Sequence, residues 1–464
     1  MDETRFLQEV DAFIEQNKEA FLADLGALVA VNSVQGEPQP GAPFGPGPKQ
    51  ALDTALAIAG RMGFATHNCE GYIGYADLPG KSARQIATIT HLDVVPEGNG
   101  WTGKPFEMVR REGYLLGRGV CDDKGPAVVT LYTAKFFKER GGTLPYTLRI
   151  LLGANEETGM GDVDYYLAHN PQPAFCVTPD AEFPVCYGEK GGYGGWLVSA
   201  PLAGDLLDFS GGVARNVVPD RASALVKADI AALHDTENVK VTAEGEGVVR
   251  VSGFGKGGHA AMPAGTVNAI ALVVDYLLEN GLCTGAERAA LKMLQTLHAS
   301  TDGSSVGIAA RDEVFDPLTC VGGVIKMEDG CLRQSIDIRF PTSIDADTMC
   351  AALSNLAEAA GGHFEPVRAN KPFYIDPNTP VIQTLVRTYN EVMGTDAKPF
   401  TMGGGTYARH FDNAVSFGIE QPGEVTPDWV GTMHGPDEGV REGLLWDSLK
   451  IYILAIARLM QLDF

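Results

Sequence analysis

QIATITHLDVVP, residues Gln85–Pro96, starts as a β-branched, apolar run and ends in an imidazole and a carboxylate two positions apart. Runs of this kind read as strands. In an extended chain positions i and i+2 share a face, so Asp93 is expected to accept the second ring N–H of His91 and fix its tautomer. An isolated His-x-Asp pair is more often a surface or structural hydrogen bond. Outward from this stretch lie helix-like Gly125–Arg140, strand-like Thr147–Leu152, a short helix near Asp162–Ala168, and strand-like Ala174–Val177. Strands alternating with helices predict an α/β fold with a doubly wound, mostly parallel sheet. Ligands of such sheets sit beyond the carboxyl ends of the strands, where His91 falls.

Further out, apolar positions Phe6, Val10, Phe13, Ile14, Phe21, Leu22, Leu25 and Leu28 recur at helical spacing between about Thr4 and Val31, suggesting two helices. The Pro/Gly-rich stretch Gly36–Pro48 reads as a loop and Lys49–Met62 as a further helix. From Tyr187 the character turns to β-rich segments (Ala222–Ile230, Val248–Gly253, Arg333–Phe340) around one long helical stretch, Asn268–Leu282. We expect residues 1–186 and 379–464 to form a catalytic domain and 187–378 an inserted α+β lid domain, the chain closing with the amphipathic segment Gly443–Met460. The 464 residues exceed what one core holds, which agrees with two domains.

The charge balance narrows the function classes. Lys and Arg total 36 against 59 acids, a formal charge of -23, so no nucleic-acid or anionic-membrane partner is expected. No stretch reaches about 18 uninterrupted apolar residues, the length a membrane span needs. The acidic, periodic N-terminal sequence does not read as a secretory signal, and a cytoplasmic location is the expectation. Eight cysteines without a C-x-x-C pair fit neither a zinc ribbon nor a disulfide framework. Any metal is expected to use nitrogen and oxygen ligands.

Four segments deliver such ligands. After His91 comes Gly117–Pro126 (GRGVCDDKGP), a glycine-rich turn placing Asp122 and Asp123 at a helix start. It matches no phosphate-loop pattern, and an aspartate there also reads as an N-cap. Glu156 and Glu157 follow the apolar run Ile150–Leu152; adjacent glutamates usually mark a solvated face, but these leave a central strand at its carboxyl end. Asp180 ends the next strand and, alone, would pass for a turn residue. A second histidine is best supplied by His434 in GTMHGPDEG, with His410 as the main decoy.

HLDVVP, GRGVCDDKGP, NEETG, TPDAEFP and GTMHGPDEG, in this order, resemble the co-catalytic dinuclear zinc metallopeptidases that include carboxypeptidase G, the desuccinylases and the aminoacylases. The similarity is closest to the PepV-type bacterial dipeptidases. It also covers GGVARNVVP (Gly211–Pro219), HAAMP from His259, DIRFP from Asp337 and TMGGGTYAR from Thr401. The resemblance implies His91 and Asp180 on one metal, Glu157 and His434 on the other, and Asp122 bridging, with Asp93 orienting His91 and Glu156 as general base. It further implies that His259 stabilises the oxyanion and that Arg339 grips a free carboxylate, assisted by Asn216 and the Gly403, Gly404 and Gly405 backbone.

The chain is therefore expected to be a hydrolase that cleaves small dipeptides through a metal-bridging hydroxide. Two Zn2+ ions are expected per chain, with Mn2+ or Co2+ able to substitute. The length of the insert favours a monomer. Two alternatives stay open: a deacylase or desuccinylase of N-acyl amino acids, and a catalytically silent binding protein on the same fold.

Overall fold

Residues 86–91 are buried without interruption, while the first four residues of their strand, Ser82–His91, are more exposed. A strand buried on both faces needs cover above and below. In the computed structural model, which describes residues 3–464, it lies between two parallel neighbours, Tyr146–Gly153 and Phe175–Thr178, with Ala414–Ser416 parallel beyond the latter. Register pairs Ile86 with both Leu148 and Phe175, and His91 with Gly153. Two antiparallel strands, Ile73–Leu78 and then Ala65–Cys69, complete the Tyr146 side. The fold is α/β with a parallel centre, and the antiparallel strands sit at the margin, where pairing of that kind needs no crossover.

Cover comes from both sides. Gly74 faces Leu52 and Leu56 of the Pro46–Arg61 helix. Its neighbour Tyr75, pointing the opposite way, meets Tyr166 of the Gly161–His169 helix. Helices Lys124–Arg140 and Glu442–Leu459 pack on each other and on the long N-terminal helix. That helix runs unbroken over Glu3–Val29, where the sequence suggested two. Asn17 explains the difference: it sits between Ile14 and Phe21 on the buried stripe and donates to Phe13 O, so a polar residue carries the stripe across the apparent gap. Fully buried Phe21, Leu25 and Leu28 on this face each contribute on the order of 1.5–3 kcal/mol.

The chain divides into two compact units. One comprises the chain up to Tyr187 with Tyr374–Phe400 and Gly405–Phe464; the other comprises Gly188–Phe373 with Thr401–Gly404. The second unit has its own core, built on an eight-stranded antiparallel sheet that runs from Val239–Gly245 at one edge to His363–Asn370 at the other. Apolar faces of helices Ala269–Glu279, Gly285–His298 and Ala346–Ala359 contribute to that core, giving an α+β arrangement. Among the described residues every cysteine is free, and no helix is long and apolar enough to cross a membrane.

Candidate metal centre

Parallel strands that end together deliver their last residues to one edge. His91 closes its strand, the Tyr146–Gly153 strand runs on into Ala154–Glu157, and Phe175–Thr178 runs on into Asp180. Asp122 arrives on the turn before the Lys124–Arg140 helix and His434 on the loop before Glu442–Leu459. Around Asp122 these meet: its Oδ1 lies 2.9 Å from His91 Nε2, and its Oδ2 lies 2.9 Å from His434 Nε2. Glu157 Oε1 is 3.2 Å from His434 Nε2, and Asp180 Oδ2 is 3.9 Å from His91 Nε2. His91, Glu156 and Asp180 form one cluster able to hold a cation, and His91, Asp122 and Glu157 another. The decoy His410 is engaged elsewhere, 3.0 Å from Asp164.

The strand ends are tied together beneath this cluster. His91 Nδ1 lies 2.9 Å from the main-chain carbonyl of Asp93 and 3.6 Å from its carboxylate. Nδ1 therefore donates to that carbonyl, and Nε2 is the ring nitrogen that faces Asp122. The carboxylate of Asp93, expected to hold the imidazole, instead accepts from the backbone N–H of Glu156 and of Glu157, each at 3.1 Å. Two amides converging on one carboxylate are a stronger claim on it than a ring already satisfied by a carbonyl. Asp123 stands at the N-cap position but makes no cap bond; its carboxylate accepts from His91 N at 3.0 Å.

A second buried carboxylate fastens the same segment. Asp162 Oδ2 accepts from Ala154 N at 2.6 Å, from Asn155 N at 2.9 Å and from the Tyr407 hydroxyl. Gly153 makes that approach possible, since a Cβ there would fall 2.1 Å from the Tyr407 hydroxyl. None of these contacts is visible in the sequence, where Asp162 reads as part of a short helix and Tyr407 as one letter of a glycine-rich motif.

Electrostatics show an excess of negative charge. Burial opposes ionisation of Asp122, but hydrogen bonds from His434 and His91 outweigh it and hold the carboxyl well below its usual range. His434 is raised to about 10 by Asp122 and Glu157. Burial and the charge of Asp180 push Glu156 up, and burial with Asp122 and Asp180 raises Glu420, another residue that sequence reasoning misses, to about 8. Carboxylates crowded so densely ask for cations. Their oxygens and two imidazole nitrogens suit zinc, manganese or cobalt, so the donor set fits divalent ions.

The remaining expected residues fall mainly in the second unit. Ala260 N donates to Asn216 O at 2.8 Å, and Val217 pairs with His259, which brings Asn216 and His259 side by side. Ala261 N approaches His259 Nδ1 at 3.2 Å, leaving the ring proton on Nε2. Arg339 is buried and already paired: Nε is 2.7 Å from Asp337 Oδ1, Nη2 is 3.2 Å from Oδ2, and Nη1 is 3.1 Å from Gly403 O. Gly404 belongs to this unit and Gly405 to the first.

Comparison with known proteins shows the family and the fold. The sequence profile described as Peptidase family M20/M25/M40 matches residues 87–461. The Bacillus subtilis (strain 168) protein named "Putative dipeptidase YtjP" is 29% identical over 96% of this chain and 98% of its own length. A Staphylococcus aureus (strain bovine RF122 / ET3-1) protein also named a "Putative dipeptidase" is 30% identical over 96% of this chain and 97% of its own. Among solved structures the fold is shared with Saccharomyces cerevisiae di-peptidase Dug1p (TM-score 0.60, 13% identity, 99% of both chains). It is also shared with the M20 family metallo-carboxypeptidase Sso-CP2 of Sulfolobus solfataricus (TM-score 0.59, 14% identity, 95% of this chain and 99% of that one).

Proposed function

The chain belongs to Peptidase family M20/M25/M40, and from that premise we propose that it is a metal-dependent dipeptidase acting on dipeptides with a free carboxylate. The observation that carries the reading is Asp122, whose two oxygens each face a different imidazole at 2.9 Å. His91 and Asp180 would hold one zinc ion, Glu157 and His434 the second, and Asp122 would bridge them, with manganese or cobalt as substitutes. Such a pair of ions, when bound, lowers the pKa of a water and polarises the scissile carbonyl.

The chain's own residues do the rest. Glu156, beside His91 and Asp180, takes the proton of the attacking water and hands it to the leaving amine. His259, with its proton on Nε2, donates to the developing oxyanion. Arg339 binds the substrate carboxylate: Asp337 and Gly403 hold its fork in place, and each terminal nitrogen carries a second N–H for the ligand. Asn216 and the Gly403, Gly404 and Gly405 backbone assist. A cytoplasmic monomer completes the reading, the self-contained core of the second unit supporting the monomer. A panel of dipeptides, tripeptides, N-acetyl and N-succinyl amino acids tests it. Hydrolysis confined to dipeptides and abolished by chelation is expected; preference for an N-acyl amino acid would overturn the substrate assignment.

A further inference from the structure

Asp122 and His434 stand 312 positions apart in sequence yet must be spaced within a few tenths of an ångström for one ion to touch both. A buried ion pair outside the ligand set links the loops that carry them. Arg118 and Glu438 are 1% and 0% exposed, and Arg118 Nη1 donates to Glu438 Oε2 at 2.6 Å. Each belongs to the loop of one ligand and bonds the backbone of the other. Arg118, four residues before Asp122, donates through Nη2 to the main-chain carbonyl of His434 at 3.2 Å. Glu438, four residues after His434, accepts through Oε1 from the N–H groups of Gly119, Cys121 and Asp122 at 3.0, 3.1 and 3.3 Å. Arg118 Nη2 also reaches Glu97 O at 3.3 Å and Pro96 O at 3.4 Å, which adds the segment following His91.

We propose that Arg118 and Glu438 are positioning residues that lock the Asp122 and His434 loops into one register and so set the affinity of the centre for divalent ions. An ordinary structural ion pair would need only each other. Here Glu438 takes three amides of the Asp122 loop and Arg118 reaches the carbonyl of His434 itself, and a pair arranged in that way transmits any change directly to the two ligands.

The inference rests on the metal reading above, and the test separates the two. Zn2+ is titrated into the full-length chain against a chromophoric chelator, the Co2+ absorption spectrum is recorded, and the unfolding midpoint of the metal-free chain is measured. Glu438→Gln keeps an oxygen for the three amides but turns an N–H toward Arg118, so it cuts the link between the loops while preserving size. Arg118→Lys keeps the charge but, with a single nitrogen in place of a fork, cannot serve Glu438 and His434 O together. Wild type is expected to bind two equivalents, and either variant to bind at least one of them about 10–100-fold more weakly with an altered Co2+ spectrum. If Glu438→Gln does not fold, Arg118→Lys decides. Wild-type affinity and spectrum in a folded variant would overturn the positioning role and leave the metal reading intact. A wild-type chain that binds no divalent ion would overturn both.

Discussion

Replacing Asp162 by alanine removes the acceptor from four buried donors, Ala154 N, Asn155 N, Val163 N and the Tyr407 hydroxyl. Burial and the charge of Asp93 raise its carboxyl to about 6, so above pH 7 the group is ionised and the bonds are charge-assisted. An unsatisfied buried donor costs about 1–3 kcal/mol, and the space vacated by the carboxylate has room for one water, which brings the expected loss to about 3–5 kcal/mol. Tyr407→Phe deletes only one of the four bonds and should cost about 1.5–3 kcal/mol. Because Asp162 and Asp93 together anchor the segment that carries Glu156 and Glu157, Asp162→Ala should also lower kcat about 10–100-fold. Urea unfolding and steady-state dipeptide hydrolysis measure the two effects, and Tyr407→Phe should cost little more once Asp162 is gone. A destabilised Asp162→Ala protein with wild-type kcat would show that the anchor does not reach the glutamates. Wild-type stability would refute the hydrogen-bond argument altogether.

Three further outcomes are expected. Glu156→Gln should abolish turnover, by at least about 100-fold for loss of a general base, while elemental analysis still finds the wild-type metal content; a variant that keeps most of its activity would exclude Glu156 as the base. Arg339→Ala should raise KM for a free dipeptide far more than for its C-terminal amide, and an equal effect on both would remove the carboxylate from its role. In the second unit, burial of His298 beside Gln334 lowers its pKa to about 4. The fold keeps this ring neutral while the unfolded chain, with an ordinary value near 6.5, takes up a proton, so stability should fall as pH drops from about 6.5 toward 4, by about 2 kcal/mol at pH 5. His298→Gln should flatten the unfolding midpoint across that window, and an unchanged slope would contradict the assignment.

How much of this is legible in the sequence depends on the range of the interactions involved. The parallel centre can be read because apolar runs such as Ile86–Thr90 and Ile150–Leu152 end in acidic residues or histidine, a pattern that only a sheet edge explains economically. Local spacing misleads where a partner comes from elsewhere. It assigns Asp93 to His91 because the two share a face of one strand, but the Asp93 carboxylate is claimed by amides 63 and 64 positions away. The two-helix expectation for the N-terminal segment fails because Asn17 looks like a break in the apolar stripe and is in fact buried within it. Arg118, Glu438, Asp162 and Tyr407 leave no signal in a single sequence, since each acts on backbone or hydroxyl groups that only the fold brings within reach. The acid near the end of GTMHGPDEG is in plain view, but nothing in its neighbours points to the loop more than 300 residues earlier.

The central claim is that Asp122 and four residues around it hold two divalent ions. An anomalous-scattering map recorded at the zinc edge from zinc-loaded crystals addresses it most directly. Two peaks flanking the Asp122 carboxylate are expected, one against His91 and Asp180 and the other against Glu157 and His434. A single peak, or peaks remote from Asp122, would contradict the account.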